Sequence, residues 1–234
     1  MINVYDYLKD SIPSDDSKQS SDKEVAERLI SGGHITKRIL DLGCGIGSSV
    51  DFFRKIAPSA KWIGVDIEES PEVVARDRDD AEFMTYDGVN LPFPDEHFDI
   101  IYSHQVFEHV RFPEALLSEV KRVLTKKGVF VGQTSHLEPY HSYSIFNFTP
   151  YGWKIICEAA GLDLIELRPG IDGVSLTKRS YLGRLVDFNK WFVKESPLNR
   201  EIDLEADKKS LSHRVRNFRK LQYCGQFIFI CRRK

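Results

Sequence analysis

Arg38-Ile-Leu-Asp-Leu-Gly-Cys-Gly-Ile-Gly47 reads as a short apolar strand, Ile39, Leu40 and Leu42, running into a turn with glycine at 43, 45 and 47. Glycines so placed let the backbone turn tightly and bring a ligand close to main-chain N–H groups beside a helix N-terminus. A helix of mixed character, Ser48 to Ala57, is expected at once. Nineteen residues past Gly47, a second apolar run, Lys61-Trp-Ile-Gly-Val-Asp66, ends in a carboxylate. In doubly wound α/β folds an acid at the tip of the second strand accepts hydrogen bonds from ribose hydroxyls. Strand, glycine turn, helix, strand and terminal acid together predict a nucleoside pocket at the carboxyl ends of a largely parallel sheet.

Working outward, residues 11–21 are polar and turn-rich and read as a loop. Asp22 to Ile30 carries Val25, Ala26, Leu29 and Ile30 at helical spacing, with Asp22 the expected N-cap and Gly32-Gly33 the stop. Downstream, a short helix from Glu69 to Arg76 opens on Ser70-Pro71, and Ala81 to Asp87 reads as a third strand. Strand four is expected over Phe98–Ser103, a helix over Pro113–Leu124 and strand five over Lys127–Gln133. A helix over Thr149–Ala160, closed by Gly161, then leads to strands over Leu162–Leu167 and Gly225–Cys231. Ligand crevices of open α/β sheets lie outside the carboxyl ends of the strands, which is where His104-Gln-Val-Phe-Glu-His109 falls.

The spacing G-x-G-x-G differs from the dinucleotide fingerprint G-x-G-x-x-G. Preceded by Asp41, it closely resembles the first motif of class I S-adenosylmethionine-dependent methyltransferases, of the kind that includes ubiquinone-pathway enzymes. The resemblance covers about residues 35–168 and 223–234 and implies a Rossmann-like α/β fold: seven strands, mostly parallel, with an antiparallel last strand. It implies S-adenosylmethionine as cofactor, with Asp41, Gly43, Cys44 and Gly45 around it and Asp66 and Ile67 at the ribose. Asp87 falls where the family's carboxylate accepts the adenine amine, with Gly88 beside it, and His104 and Gln105 close the set. A carboxylate such as Asp41 also suits the amino group and sulfonium of that cofactor.

The 234 residues suffice for one domain, expected as an N-terminal helical segment (1–34), the core, and a helical cap inserted at 169–222. No run of about 18 apolar residues spans a bilayer, and Met1-Ile-Asn-Val-Tyr-Asp lacks the regions of a signal peptide, so cytoplasmic residence is expected. The four cysteines show no paired spacing that suggests zinc or a disulfide framework. Net charge is −2, yet residues 208–234 hold nine Lys or Arg and no acid, so the rest of the chain stands at −11. Such asymmetry points either to an anionic partner or to a solvated basic face. Residues 180–195, rich in aromatic and aliphatic side chains, read as a lid, a homodimer contact or a membrane-surface element; Leu211, Val215 and Phe218 mark a second amphipathic helix carrying the basic residues.

Methyl transfer from a sulfonium is a direct displacement, so positioning and desolvation carry most of the catalysis. An alcohol acceptor additionally needs a base for its proton. Candidates are His104, Glu108 and His109 after strand four, and His136 and His141, with Glu138, Tyr140 and Tyr143, after strand five. The Gln105-Val-Phe-Glu108-His109 phrase is similar to the Glu-x-x-Glu-His motif that ubiquinone-pathway O-methyltransferases and small-RNA 3′-end methyltransferases use to hold a divalent ion. Gln105 replaces the first acid, a poorer ligand, and metal independence is expected. The leading expectation is O-methylation of a sugar, glycan or other small molecule, as in polysaccharide pathways. RNA held by the basic segment, or a non-catalytic cofactor-binding subunit, are the alternatives.

Overall fold

The computed structural model describes residues 3–234. Met1 and Ile2, on which the reading of the N-terminus begins, lie outside them. In chain order the elements are α1 (Val4–Leu8), α2 (Asp22–Ser31), β1 (Arg38–Leu42), α3 (Val50–Ile56), β2 (Lys61–Ile67), α4 (Pro71–Val74), β3 (Glu82–Tyr86) and β4 (Phe98–His104). There follow α5 (Pro113–Val123), β5 (Leu124–Ser135), α6 (Pro150–Ala159), β6 (Leu162–Pro169), α7 (Gly173–Tyr181), α8 (Pro197–Lys208), α9 (His213–Tyr223) and β7 (Gln226–Arg233). Among the described residues the strands form one sheet in the order β3-β2-β1-β4-β5-β7-β6. β7 runs antiparallel to both β5 and β6, while β1 to β5 pair in parallel. This is the Rossmann-like α/β architecture expected.

Helices cover both faces, which is why the central strands are apolar nearly throughout. On one face Leu40, Leu42, Ile101 and Phe130 pack with Leu116, Leu117 and Val120 of α5 and Trp153 of α6. On the other, Ile39, Ile100, Val129 and Val131 meet Val25 and Ala26 of α2 and Phe53 of α3. Chain order reverses at β1, with β2 on one side and β4 on the other, and that switch point is where such sheets open a crevice. The turn after β1 needs its glycines there: Gly43 has φ +74°, and a Cβ on it would lie 2.3 Å from Val106 Cγ2.

Local chemistry moved some boundaries. α3 starts at Val50 rather than Ser48, because residues 47–49 stay in the turn and Ser49 turns its hydroxyl to Asp41 instead of capping. Ser21, not Asp22, caps α2: its hydroxyl accepts from Glu24 N–H and Glu24 accepts from Ser21 N–H, a complete capping box. Asp22 is released to face the interior and is 2% exposed. Residues 4–8 form a helix that the sequence reading did not anticipate, and its Tyr7 hydroxyl donates to Glu158.

The segment between β6 and β7 clasps the N-terminal loop. Asn217 of α9 donates to the carbonyls of Pro13 (3.1 Å) and Asp16 (2.7 Å), and Gln19 Nε2 donates to Trp191 O (2.6 Å). Fully buried Lys220 reaches Ser17 O, Glu195 and Asp203 at 2.6, 2.6 and 2.8 Å. The basic run is thereby matched in space by α8 and its approach: Arg216 pairs with Asp207 and Arg219 with Glu205, while Arg214 donates to Ile12 O. Within 180–195 the helix stops at Tyr181, Val186–Phe192 form a 3-10 helix, and Tyr181, Val186 and Val193 are exposed. Leu211 precedes α9 rather than lying on it. All four cysteines are buried free thiols, and no helix of the described residues is long and apolar enough to cross a membrane.

Candidate active site

A cleft of about 580 Å³ opens at the carboxyl ends of β1 and β4. Its floor is the glycine turn, and Asp41, Gly43, Cys44, Gly45 and His104 all line it. β5 and β7 add Gln133 and Gln226, the start of α2 adds Ser20 to Lys23, and Phe192 and Val193 close one side. The volume lies in the usual range for small-molecule sites.

Asp41 sits at 3% exposure, on β1 just before the turn. Ser49 Oγ donates to it at 2.5 Å and itself accepts from Trp62 Nε1 at 3.1 Å. Burial pushes the Asp41 carboxyl up to about 7, against the pull of Ser49 and His104. A buried carboxylate without a paired cation is costly, and a ligand bearing an ammonium and a sulfonium would relieve that cost. The residues present thus fit S-adenosylmethionine.

The other cofactor candidates stand further off. Asp66 accepts from Gly45 N–H (2.7 Å) and Ile67 N–H (2.8 Å), so it ties the tip of β2 to the turn; burial raises its carboxyl. Asp66, Ile67, Asp87 and Gly88 lie at the tips of β2 and β3, beyond the residues that line the cleft. Asp87 is exposed and held below the usual carboxylate range by Asn90, whose side chain (2.7 Å) and N–H (2.6 Å) donate to it along with Val89 N–H. Two residues the sequence reading passed over brace the turn from outside: Arg76 donates to Gly45 O at 2.6 and 2.8 Å, and Arg78 to Gly47 O at 2.9 Å.

The base candidates do not form one group. His104 Nδ1 lies 2.5 Å from an Asp22 carboxylate oxygen, and Tyr102 O–H donates to the same oxygen at 2.7 Å. Asp22 is thus no helix cap: the Ser21-x-x-Glu24 box, visible in the sequence, makes a second cap redundant. Glu108, His109 and His141 form a separate cluster with ligand atoms within 4.8 Å of one another, the two rings meeting edge to face at 5.3 Å. Glu108 is fully buried; burial raises its carboxyl, and Thr134 and Ser135 hydroxyls sit 3.1 and 3.0 Å away. These three side chains are a donor set for a divalent ion, whereas Gln105, in the position of the motif's first acid, turns its carbonyl oxygen to Ser135 (2.9 Å). His136 belongs to neither group: it faces the backbone of Phe148 and Gln222, and burial lowers its pKa. Tyr140 and Tyr143 are exposed. A polar chain joins the cleft to the cluster, running from Gln133 to Gln226 (2.6 Å), on to Glu138 (2.8 Å) and then to Ser135 (2.8 Å).

Residues 40–132, from β1 to β5, match the family described as methyltransferase domain. A methyltransferase of Schizosaccharomyces pombe is 37% identical over 108 residues, 41% of this chain and 38% of that protein. The ubiquinone/menaquinone biosynthesis C-methyltransferase UbiE of Pseudomonas putida is 32% identical over 146 residues, covering 56% of this chain and 57% of its own. The chain therefore spans less than two thirds of the length of these curated relatives. The solved S-adenosylmethionine dependent methyltransferase of Mesorhizobium loti shares the fold at a TM-score of 0.56 and 17% identity, over 92% of this chain and 99% of that one. The family match runs from β1 to β5 and takes in the glycine turn of the cleft, so residues 40–132 are similar to a methyltransferase domain, and the cleft that they help to build fits S-adenosylmethionine.

Proposed function

We propose that the protein transfers the methyl group of S-adenosylmethionine to a hydroxyl oxygen of a sugar, a glycan or another small polar molecule. The observation that carries this reading is the lining of the cleft: besides the Asp41 turn, its wall includes the amide side chains of Gln133 and Gln226, backed by Glu138 and Ser135. Such a wall offers donors and acceptors to a hydroxyl-bearing acceptor. The sulfonium supplies an already activated methyl carbon. The chain's residues then have to hold the donor, exclude water and take one proton from the acceptor. In this reading Asp41 faces the cationic end of the cofactor, Asp66 its ribose and Asp87 its adenine. Metal is not required, because Glu108 has hydroxyl partners and Gln105 is neutral. Phe192 and Val193, which line the cleft, support reading residues 169–222 as a cap over it, and the exposed apolar side chains of 180–195 are then left for a second copy of the chain.

A carbon acceptor is the second reading, favoured by the identity to the Pseudomonas enzyme, which is named a C-methyltransferase. RNA is disfavoured, since Arg216 and Arg219 are paired within the chain. The test is transfer of labelled methyl from S-adenosylmethionine into a fractionated lysate, with and without EDTA. Label in glycan, glycolipid or nucleotide-sugar fractions, unaffected by EDTA, is expected. Label in RNA or in quinone-like lipid would overturn the acceptor class, and loss of label with EDTA would move the chemistry to Glu108, His109 and His141.

A further inference from the structure

We propose that His104 is the proton acceptor of the transfer and that Asp22 is the residue that positions it, a reading that rests on the oxygen-acceptor function above. Both side chains line the cleft that holds Asp41 and the glycine turn. They are 82 residues apart and are brought together by the packing of α2 against the sheet.

Asp22 is not needed where it stands for the helix. Ser21 already caps α2 through a full capping box, so a carboxylate at 2% exposure brings a desolvation cost without a capping return. What it does have is a set of donors: Lys23 N–H on one oxygen (2.9 Å), and Tyr102 O–H and His104 Nδ1 on the other (2.7 and 2.5 Å). An acceptor so surrounded is ionised: burial alone would raise Asp22, but His104, Tyr102 and the Lys23 amide outweigh it and hold its carboxyl low. The imidazole must then present its Nδ1 proton to Asp22, which makes Nε2 the basic nitrogen. No protein group among the described residues hydrogen-bonds that Nε2. The charges facing the ring are Asp22 and Lys23 from α2 and Asp41 from β1; burial lowers the imidazole pKa, and the two carboxylates overcome it and raise it.

The step balances without any further reactant. As the new C–O bond forms, the acceptor's O–H bond breaks and its proton passes to His104 Nε2. The C–S bond breaks with its electron pair on sulfur, so the sulfonium leaves as a neutral thioether and the positive charge ends on the imidazolium, beside Asp22.

The test is histidine-labelled NMR of the whole chain without cofactor, titrated with pH, with His104 assigned from His104→Gln. Neutral His104 is expected to carry its proton on Nδ1, and Asp22→Asn is expected to lower its midpoint by about one pH unit or more, the size of a close carboxylate's effect. An Nε2–H tautomer in the native chain, or a midpoint that Asp22→Asn leaves in place, would overturn the proposal. The tautomer is read on the native fold, so the test stands even where Asp22→Asn does not fold. Calorimetry with S-adenosylhomocysteine separates the two layers. Absent binding in a chain with the pair intact would overturn the donor cleft, while normal binding with an unmoved midpoint would overturn the pair alone. Once an acceptor fraction is in hand, His104→Gln should lower transfer about 100-fold, far more than it weakens adenosylhomocysteine binding.

Discussion

Asp41 carries the electrostatic logic of the cleft. Its carboxyl titrates near 7 in the folded chain, against 3.8 for a free aspartate. A carboxyl raised by folding stabilises the fold below its unfolded pKa, and that contribution is lost as pH rises through the folded one. The free chain is therefore expected to lose stability between about pH 4 and pH 7 on account of this residue. Asp41→Asn should stabilise the free chain at pH 8 by an amount on the order of a few kcal/mol, as removal of an uncompensated buried charge does, and so raise its thermal midpoint. A lowered midpoint would refute this. Cofactor affinity should run the other way. Binding a cation favours the ionised carboxyl, so native affinity for S-adenosylmethionine should climb as pH rises from 5.5 to 7, and calorimetry on Asp41→Asn should show most of that slope gone. Asp66→Ala is expected to weaken S-adenosylhomocysteine binding by about 1–3 kcal/mol, the cost of leaving buried polar groups unpaired, and an unchanged calorimetric affinity would remove it from the ribose. Asp41 and Asp66 are legible in sequence because each sits at a fixed step from a glycine turn. Asp22 is not: Ser21 and Asp22 are both cap formers, and its real partner, His104, lies 82 residues on.

At the scale of elements, the turn between β1 and α3 is held from three sides. Gly43 and Cys44 N–H groups donate to Val65 O, Asp66 accepts from Gly45, and Arg76 and Arg78 donate to the turn's carbonyls. Positive φ at Gly43, with Val106 pressed against it, leaves no room for a side chain. Gly43→Ala should destabilise the chain by about 1–3 kcal/mol through backbone strain alone, read as a shift in urea midpoint, and should abolish measurable adenosylhomocysteine binding. Wild-type binding in that variant would contradict the geometry. The helices and strands of the core were readable from periodicity because each buries a continuous stripe or face. The bracing arginines were not, since Arg76-Asp-Arg78 reads as a polar helix end and only the close approach of the stretch after α4 to the turn gives it a task.

Over the whole molecule, charge that looks segregated along the chain is mixed in space. The acids that answer Arg216, Arg219 and Lys220 belong to 195–207, just ahead of the basic run. That packing lets the inserted segment grip residues 12–20 and so sets the start of α2, with Asp22, against the cleft. Lys220 is the centre of the grip. Lys220→Ala should destabilise the chain by roughly 2–4 kcal/mol, a little under the value for a fully buried pair because Glu195 and Asp203 keep 22% and 29% of their side-chain exposure. Thermal denaturation checks this, and a change within error would mean that the grip lies elsewhere. The atom that receives the methyl group separates the oxygen reading from the carbon reading. Carbon NMR of product made with methyl-13C S-adenosylmethionine and the active acceptor fraction reads that atom directly. A methyl resonance bonded to oxygen is the expected result, and one bonded to carbon or nitrogen would contradict it.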